Sequence, residues 1–174
     1  MTILALGGSL RAASSTAALV RATASLAPDG VTVDVYDGLG DLPLFSPDLD
    51  ADGPPLAVVR LRRRVGEADA VLICTPEYAY GMPGALKNAL DWLVSSGELY
   101  RKPVAALSAS PSARGGDRAL AWLRQTLTAL DAAVPDAASF AVPFVKQTLD
   151  GDRVSDSDLA DRLRAALVAL GAAG

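Results

Sequence analysis

The feature that most restricts how this chain can fold is a regular alternation of short apolar or β-branched runs with longer stretches of helical periodicity. Thr2–Leu6 reads as a strand, and Ser14–Leu26 as a helix with apolar Ala18, Leu19, Ala22 and Leu26, closed by Pro28 and Gly30. Val31, Val33 and Val35 alternate with polar positions as a second strand. Pro54–Gly66 then reads as a helix, and Ala70–Cys74 as a strand apolar at every position. Pro83 opens the next helix, where a missing N–H is harmless, and Leu86, Ala89, Leu90 and Leu93 form its inward stripe. Val104–Leu107 is a strand, Asp117–Leu130 a helix and Ser139–Val142 a strand. A last helix follows, with Ser155 as its cap and Leu159, Leu163, Leu167 and Leu170 as its buried stripe.

Strands apolar on both faces and joined through helices belong to a parallel sheet. Five strands and five helices in this order, with right-handed crossovers, predict an α/β fold: a flavodoxin-like doubly wound five-stranded parallel sheet, order 2-1-3-4-5, with helices on both faces. One such domain accounts for residues 1–174. Ligands of these sheets bind beyond the carboxyl ends of strands one and three, where the winding reverses. Asp37–Gly53 is expected to be a loop of about 17 residues.

The chain holds no histidine and a single cysteine. That excludes Ser-His-Asp and Cys-His nucleophile pairs, histidine-ligated zinc, an internal disulfide and a four-thiolate iron–sulfur cluster from this chain alone. A net charge of −4 argues against a general nucleic-acid binder or a partner for anionic membranes. Neither a basic leader nor a run of about 20 apolar residues is present, so a cytoplasmic location is expected. Chemistry must come from carboxylates, hydroxyls, backbone groups or an imported cofactor.

The unusual residues fall after strands one and three. Gly7 to Thr16 combines glycines that let backbone approach a ligand, the hydroxyls of Ser9, Ser14, Ser15 and Thr16, the forked cation Arg11 and a helix N-terminus. Together they describe a cradle for a phosphate monoester, although neither the dinucleotide glycine fingerprint nor the Gly-Lys-Ser/Thr loop is present. After strand three, Thr75–Gly84 carries two stiffening prolines, with Tyr78 and Tyr80 offering a wall for a flat heteroaromatic ring. Turn and capping chemistry in the first loop, and local aromatic packing in the second, are the alternative readings.

Four segments carry a family resemblance. Gly8–Ser9–Leu10–Arg11 with Ser14, Leu42–Pro43–Leu44–Phe45 with Pro47–Asp48–Leu49, Pro76–Glu77–Tyr78 with Pro83–Gly84, and Leu86–Lys87–Asn88–Ala89–Leu90–Asp91–Trp92 resemble the NADPH-dependent FMN reductase family, which includes bacterial chromate and quinone reductases. Ser108–Ala109–Ser110–Pro111, Gly115–Gly116 and Leu123–Arg124–Gln125 resemble its strand-four region, and the match spans about residues 1–130. The resemblance implies non-covalent FMN with its phosphate on Ser9, Arg11 and Ser14. Pro76, Glu77, Tyr78 and the segment Ala79, Tyr80 and Gly81 would line the isoalloxazine, with Ser108, Gly115 and Gly116 approaching from the strand-four loop. It also implies a homodimer or homotetramer. Three positions depart from the family pattern: Thr16 and Ala79 where asparagine is usual, and Gly81 where serine is common.

By the same resemblance, reducing equivalents pass from NADPH or NADH through FMN to a small acceptor, such as a quinone, free flavin, azo compound or oxidised metal ion. The cofactor carries the bond changes, so no histidine base is needed. A non-catalytic FMN electron carrier and a flavin-free binding module are the alternatives. Arg60, Arg62, Arg63 and Arg64 read as a solvated face, and Arg114 as the better candidate for an adenosine 2′-phosphate. Cys74 is expected to be core filler, Trp92 and Trp122 core or subunit packing residues, and Asp48, Asp50 and Asp52 not a metal loop.

Overall fold

The computed structural model describes residues 1–11 and 14–172. Five parallel strands form one sheet in the order β2-β1-β3-β4-β5: β1 (Thr2–Gly7), β2 (Thr32–Tyr36), β3 (Ala70–Thr75), β4 (Val104–Ala109) and β5 (Ser139–Val142). The flavodoxin-like architecture expected from the alternation is thus the one observed. The register Ile3↔Ala70, Val71↔Val104 and Ala106↔Ser139 aligns the carboxyl ends of β1, β3 and β4 along one crest.

Side-chain alternation along the strands builds two cores. Leu4, Leu6, Val71, Ile73, Val104 and Ala106 face one side, where α3 (Leu56–Glu67), α4 (Gly84–Asp91) and α5 (Asp117–Ala129) cover them with Leu61, Leu86, Leu90, Leu123 and Leu127. Ile3, Ala5, Leu72, Cys74, Ala105 and Leu107 face the other, beneath α1 (Ser15–Ala24) and α7 (Ser157–Ala172), through Leu19, Val20, Leu163 and Leu167. A period of two in the strands and of 3.6 in the helices makes both faces apolar at once. Trp92 is fully buried and its Nε1 donates to the Pro43 carbonyl at 2.9 Å, as a core tryptophan must find a partner for its N–H.

Three local expectations change. Residues 37–53 are not one open loop: a 3-10 turn (Gly38–Asp41) and α2 (Pro47–Ala51) break it, and Asp50 is tied to Arg62 and Ser95. Asp156, not Ser155, caps α7, its carboxylate accepting from the Leu159 amide at 2.8 Å. Between β5 and α7 lie a short helix, α6 (Val145–Thr148), and a hairpin of β6 (Leu149–Asp150) and β7 (Arg153–Val154). The hairpin is held to α1 by the Arg21–Asp152 ion pair at 2.9 Å. No helix among the described residues is long and apolar enough to cross a membrane.

Candidate functional site

The loops after β1, β3, β4 and β5 surround a cleft of about 360 Å³ on the crest of the sheet. Its first wall is Ser9, Arg11, Ser14, Ser15 and Thr16. Gly8 threads this loop against the sheet: its N–H donates to the Cys74 carbonyl at 2.8 Å, and an added Cβ would stand 2.9 Å from Leu86 Cδ2. Ser14 is the N-cap of α1, its Oγ accepting from the amides of Thr16 (3.2 Å) and Ala17 (3.4 Å) while bonding Thr16 Oγ1 at 2.6 Å. Ser14 and Thr16 are therefore buried and mutually satisfied, whereas Ser9 and Ser15 are partly open and Arg11 is exposed. Thr16 thus joins Ser14 in ordering the helix start.

Pro76, Glu77 and Tyr78 form the second wall, and Ala109, Ser110, Pro111 and Lys146 the third. Tyr78 bridges the first two, its hydroxyl 3.2 Å from Ser9 Oγ. Tyr78 also closes a two-residue turn, exchanging backbone hydrogen bonds with Gly81 at 2.9 and 3.0 Å. The residues between, Ala79 and Tyr80, both take positive φ, 48° and 66°. The turn projects the Tyr80 ring away to the start of α5, where the Arg118 guanidinium lies 4.0 Å from its centroid. Gly81 lies under Trp122, whose Cε3 would be 3.2 Å from an added Cβ. Trp122, expected to be a packing residue, is 57% exposed beside this turn.

Ala79, Tyr80, Gly81, Ser108, Gly115 and Gly116 do not line the cleft wall itself. Buried Ser108 donates to the Gly115 carbonyl at 2.9 Å. Gly115 (φ 63°) passes so close to the end of β5 that a Cβ would meet the Pro143 nitrogen at 2.7 Å, and a Cβ on Gly116 (φ 85°) would stand 3.4 Å from Glu77 and Ser108. These three residues shape the loop that carries Ser110. The expectation missed Lys146, because it lies past the segments that carry the resemblance and on a helix too short to show periodicity. Among the arginines of α3, Arg62 is bound to Asp50 and the Trp92 carbonyl and Arg64 to Asp34, while Arg60 and Arg63 border a separate hollow with Tyr36 and Asp41. Burial pushes the Cys74 thiol up to about 12, so it is inert filler, as expected.

The donor set fits a phosphate-bearing planar cofactor. Arg11, the partly open hydroxyls of Ser9 and Ser15 and the start of α1 offer an anion its partners, while Pro76 and Tyr78 offer a flat apolar wall. A cleft of this size lies within the range of small-molecule and cofactor sites.

Comparison with known proteins gives the same answer. Residues 1–147 match the model of the NADPH-dependent FMN reductase family. The chain is 42% identical over 131 residues to an NAD(P)H-dependent FMN reductase of Pseudomonas aeruginosa, covering 74% of this chain and 70% of the relative. It is 35% identical over 176 residues to a quinone reductase of Escherichia coli, covering 98% and 94%. Its backbone matches that of a flavoenzyme NAD(P)H:(acceptor) oxidoreductase from Paracoccus denitrificans with a TM-score of 0.84 at 30% identity, over 97% of this chain and 94% of that one. The chain belongs to the NADPH-dependent FMN reductase family, the family that its sequence motifs resemble.

Proposed function

We propose that this NAD(P)H-dependent FMN oxidoreductase reduces quinones, and that both the nicotinamide and the quinone use the open side of the crest cleft in turn. The observation that carries this reading is the convergence of Arg11, Ser9 and Ser15 with Pro76 and Tyr78 on one cleft. When bound there, FMN supplies hydride acceptance and onward electron transfer.

The residues of the chain have narrower tasks. Arg11 and the hydroxyls of the β1 loop hold the phosphate end, Pro76 and Tyr78 support the ring, and Glu77 keeps the β3 loop in register with α5. Ser9 Oγ, 3.2 Å from the Tyr78 hydroxyl, couples the phosphate end of the site to the ring end. Quinones are favoured as acceptors because relatives covering nearly the whole chain carry that name; azo compounds, free flavins and oxidised metal ions are the other acceptors of the proposal. The exposed aromatic side chains of Tyr80 and Trp122 beside the cleft support a homodimer or homotetramer.

Purified protein should be yellow and should bleach on anaerobic titration with NADPH. Steady-state assays with a soluble benzoquinone should give parallel double-reciprocal lines; intersecting lines would refute a shared face.

A further inference from the structure

Lys146 lies outside the motifs after β1 and β3, yet it lines the same cleft as Arg11. It approaches from the far end of the sheet, on α6 after β5. Its position is built in by the chain around it. The Val145 amide donates to the Ser110 carbonyl at 3.1 Å and the Phe144 amide to the Ser112 carbonyl at 3.2 Å, so the segment after β5 is zipped to the loop after β4. Phe144 turns the chain in a left-handed conformation (φ 48°), and the Val145 side chain is fully buried in the core. The exposed Lys146 side chain follows directly on that anchor, at the junction of the cleft with a second groove that shares Ser14 and Ser15.

Charge balance gives this placement a purpose. A phosphate monoester carries about −1.5 to −2 near neutral pH. Arg11 supplies one positive charge and the start of α1 about half of another. That leaves up to about half a charge unmatched, in a chain whose net charge is −4. A lysine ammonium is a mobile point charge that suits phosphate oxygens without needing the geometry of a guanidinium fork. We infer that Lys146 is a second phosphate-anchoring cation of the flavin site, facing Arg11 across the cleft and making the site selective for flavin monophosphate over the phosphate-free flavin. This rests on the assignment of the cleft to FMN.

The test is fluorescence titration of FMN and of riboflavin with full-length wild type, Lys146→Gln and Lys146→Arg. Lys146→Gln should weaken FMN binding by about tenfold or more, the size of a lost charge-assisted contact, and leave riboflavin within about twofold. Lys146→Arg should restore most of the FMN affinity. Added salt should weaken FMN binding to wild type more than to Lys146→Gln.

Equal FMN affinity in wild type and Lys146→Gln would overturn the inference. So would an unchanged FMN affinity with a loss confined to the KM for NADPH and absent for NADH, which would assign Lys146 to the nicotinamide cofactor. Failure of wild type itself to bind FMN would instead refute the cleft assignment, so the two failures are distinguishable.

Discussion

Glu77 and Ala119, 42 residues apart in sequence, are joined by a hydrogen bond in which the Ala119 amide donates to Glu77 Oε2 at 3.1 Å. The Arg118 amide donates to the same oxygen at 3.1 Å. The carboxylate thus caps the first turn of α5, where the helix dipole favours a negative charge, and it locks the loop after β3 to the helix after β4. The β3 wall of the cleft is thereby tied to the start of α5.

Removing that cap tests its role. Glu77→Ala should cost about 1–2 kcal/mol of stability, the usual range for a lost helix cap. Glu77→Gln, which keeps an acceptor and loses the charge, should cost about 0.5–1 kcal/mol. Both variants should release FMN faster than wild type. Urea unfolding midpoints and flavin fluorescence recovery on dilution measure the two effects; a wild-type midpoint for Glu77→Ala would mean that the amides of Arg118 and Ala119 are satisfied without it.

The turn at Ala79–Tyr80 stores strain beside the cleft. Two consecutive residues with positive φ suit glycine or asparagine, and alanine in that region costs about 1–2 kcal/mol. Ala79→Gly relieves the strain but gives the unfolded chain more freedom, which offsets about 0.4–1 kcal/mol. The net expectation is a gain of about 0.5 kcal/mol, read as a raised melting temperature. Ala79→Asn should also stabilise, since asparagine tolerates this conformation. A lowered melting temperature in both variants would mean that the turn does not have this geometry in solution.

Gly115 and Gly30 offer a matched pair for testing the close approach of the β4 loop to β5. Both have positive φ, 63° and 81°, so alanine meets a similar backbone penalty at each. Only at Gly115 would the new Cβ meet backbone, 2.7 Å from the Pro143 nitrogen; around Gly30 nothing lies within 4 Å. Gly115→Ala should therefore lose about 1–3 kcal/mol more than Gly30→Ala, the range of a forced overpacking. Equal losses, by chemical denaturation, would show that the β4 loop is free to move away from β5.

The sheet order was legible from the alternation of strands and helices together with right-handed crossovers, and most helices from their periodicity. Ile3 and Leu4 face opposite cores for that reason alone. The cleft's β1 and β3 walls were legible from residue types that follow those strands. The region from Pro143 to Val154 was not: α6 spans four residues and each hairpin strand two, too short for any period to register. Its one local signal is the two-residue Gly151–Asp152 turn between the paired Asp150 and Arg153. Lys146 was missed with it. The long-range role of Glu77 was also hidden, because nothing in its neighbourhood in sequence points to the amides of Arg118 and Ala119.

Cys74 should stay silent in the redox chemistry of the site. Its thiol is fully buried at the end of β3 and pushed up to about 12 by desolvation, so almost no thiolate forms at working pH. Native protein at pH 8 should resist iodoacetamide and become alkylated only when denatured, as mass spectrometry would show. Fast labelling of the native protein would mean that β3 opens readily.

The segment before α3 has its own acid-labile fastener. Asp50 in α2 accepts from Ser95 Oγ and pairs with Arg62 at 2.9 Å, while Arg62 also donates to the Trp92 carbonyl at 2.7 Å. The Ser95 hydroxyl above all, helped by Arg62, holds the Asp50 carboxyl below its ordinary range against desolvation, which pushes the other way. A carboxyl whose folded pKa is depressed adds stability that is fully present above its unfolded value, near 4, and is lost as pH falls through the folded value. Asp50→Asn should therefore be less stable than wild type at pH 7, and the gap should close as the pH drops below about 4. Urea midpoints recorded from pH 7 down to pH 3 give the comparison. A gap that stays constant across that range would mean that Asp50 acts through packing and hydrogen bonding alone, and that its ionisation contributes nothing to holding α2 against α3 and the end of α4.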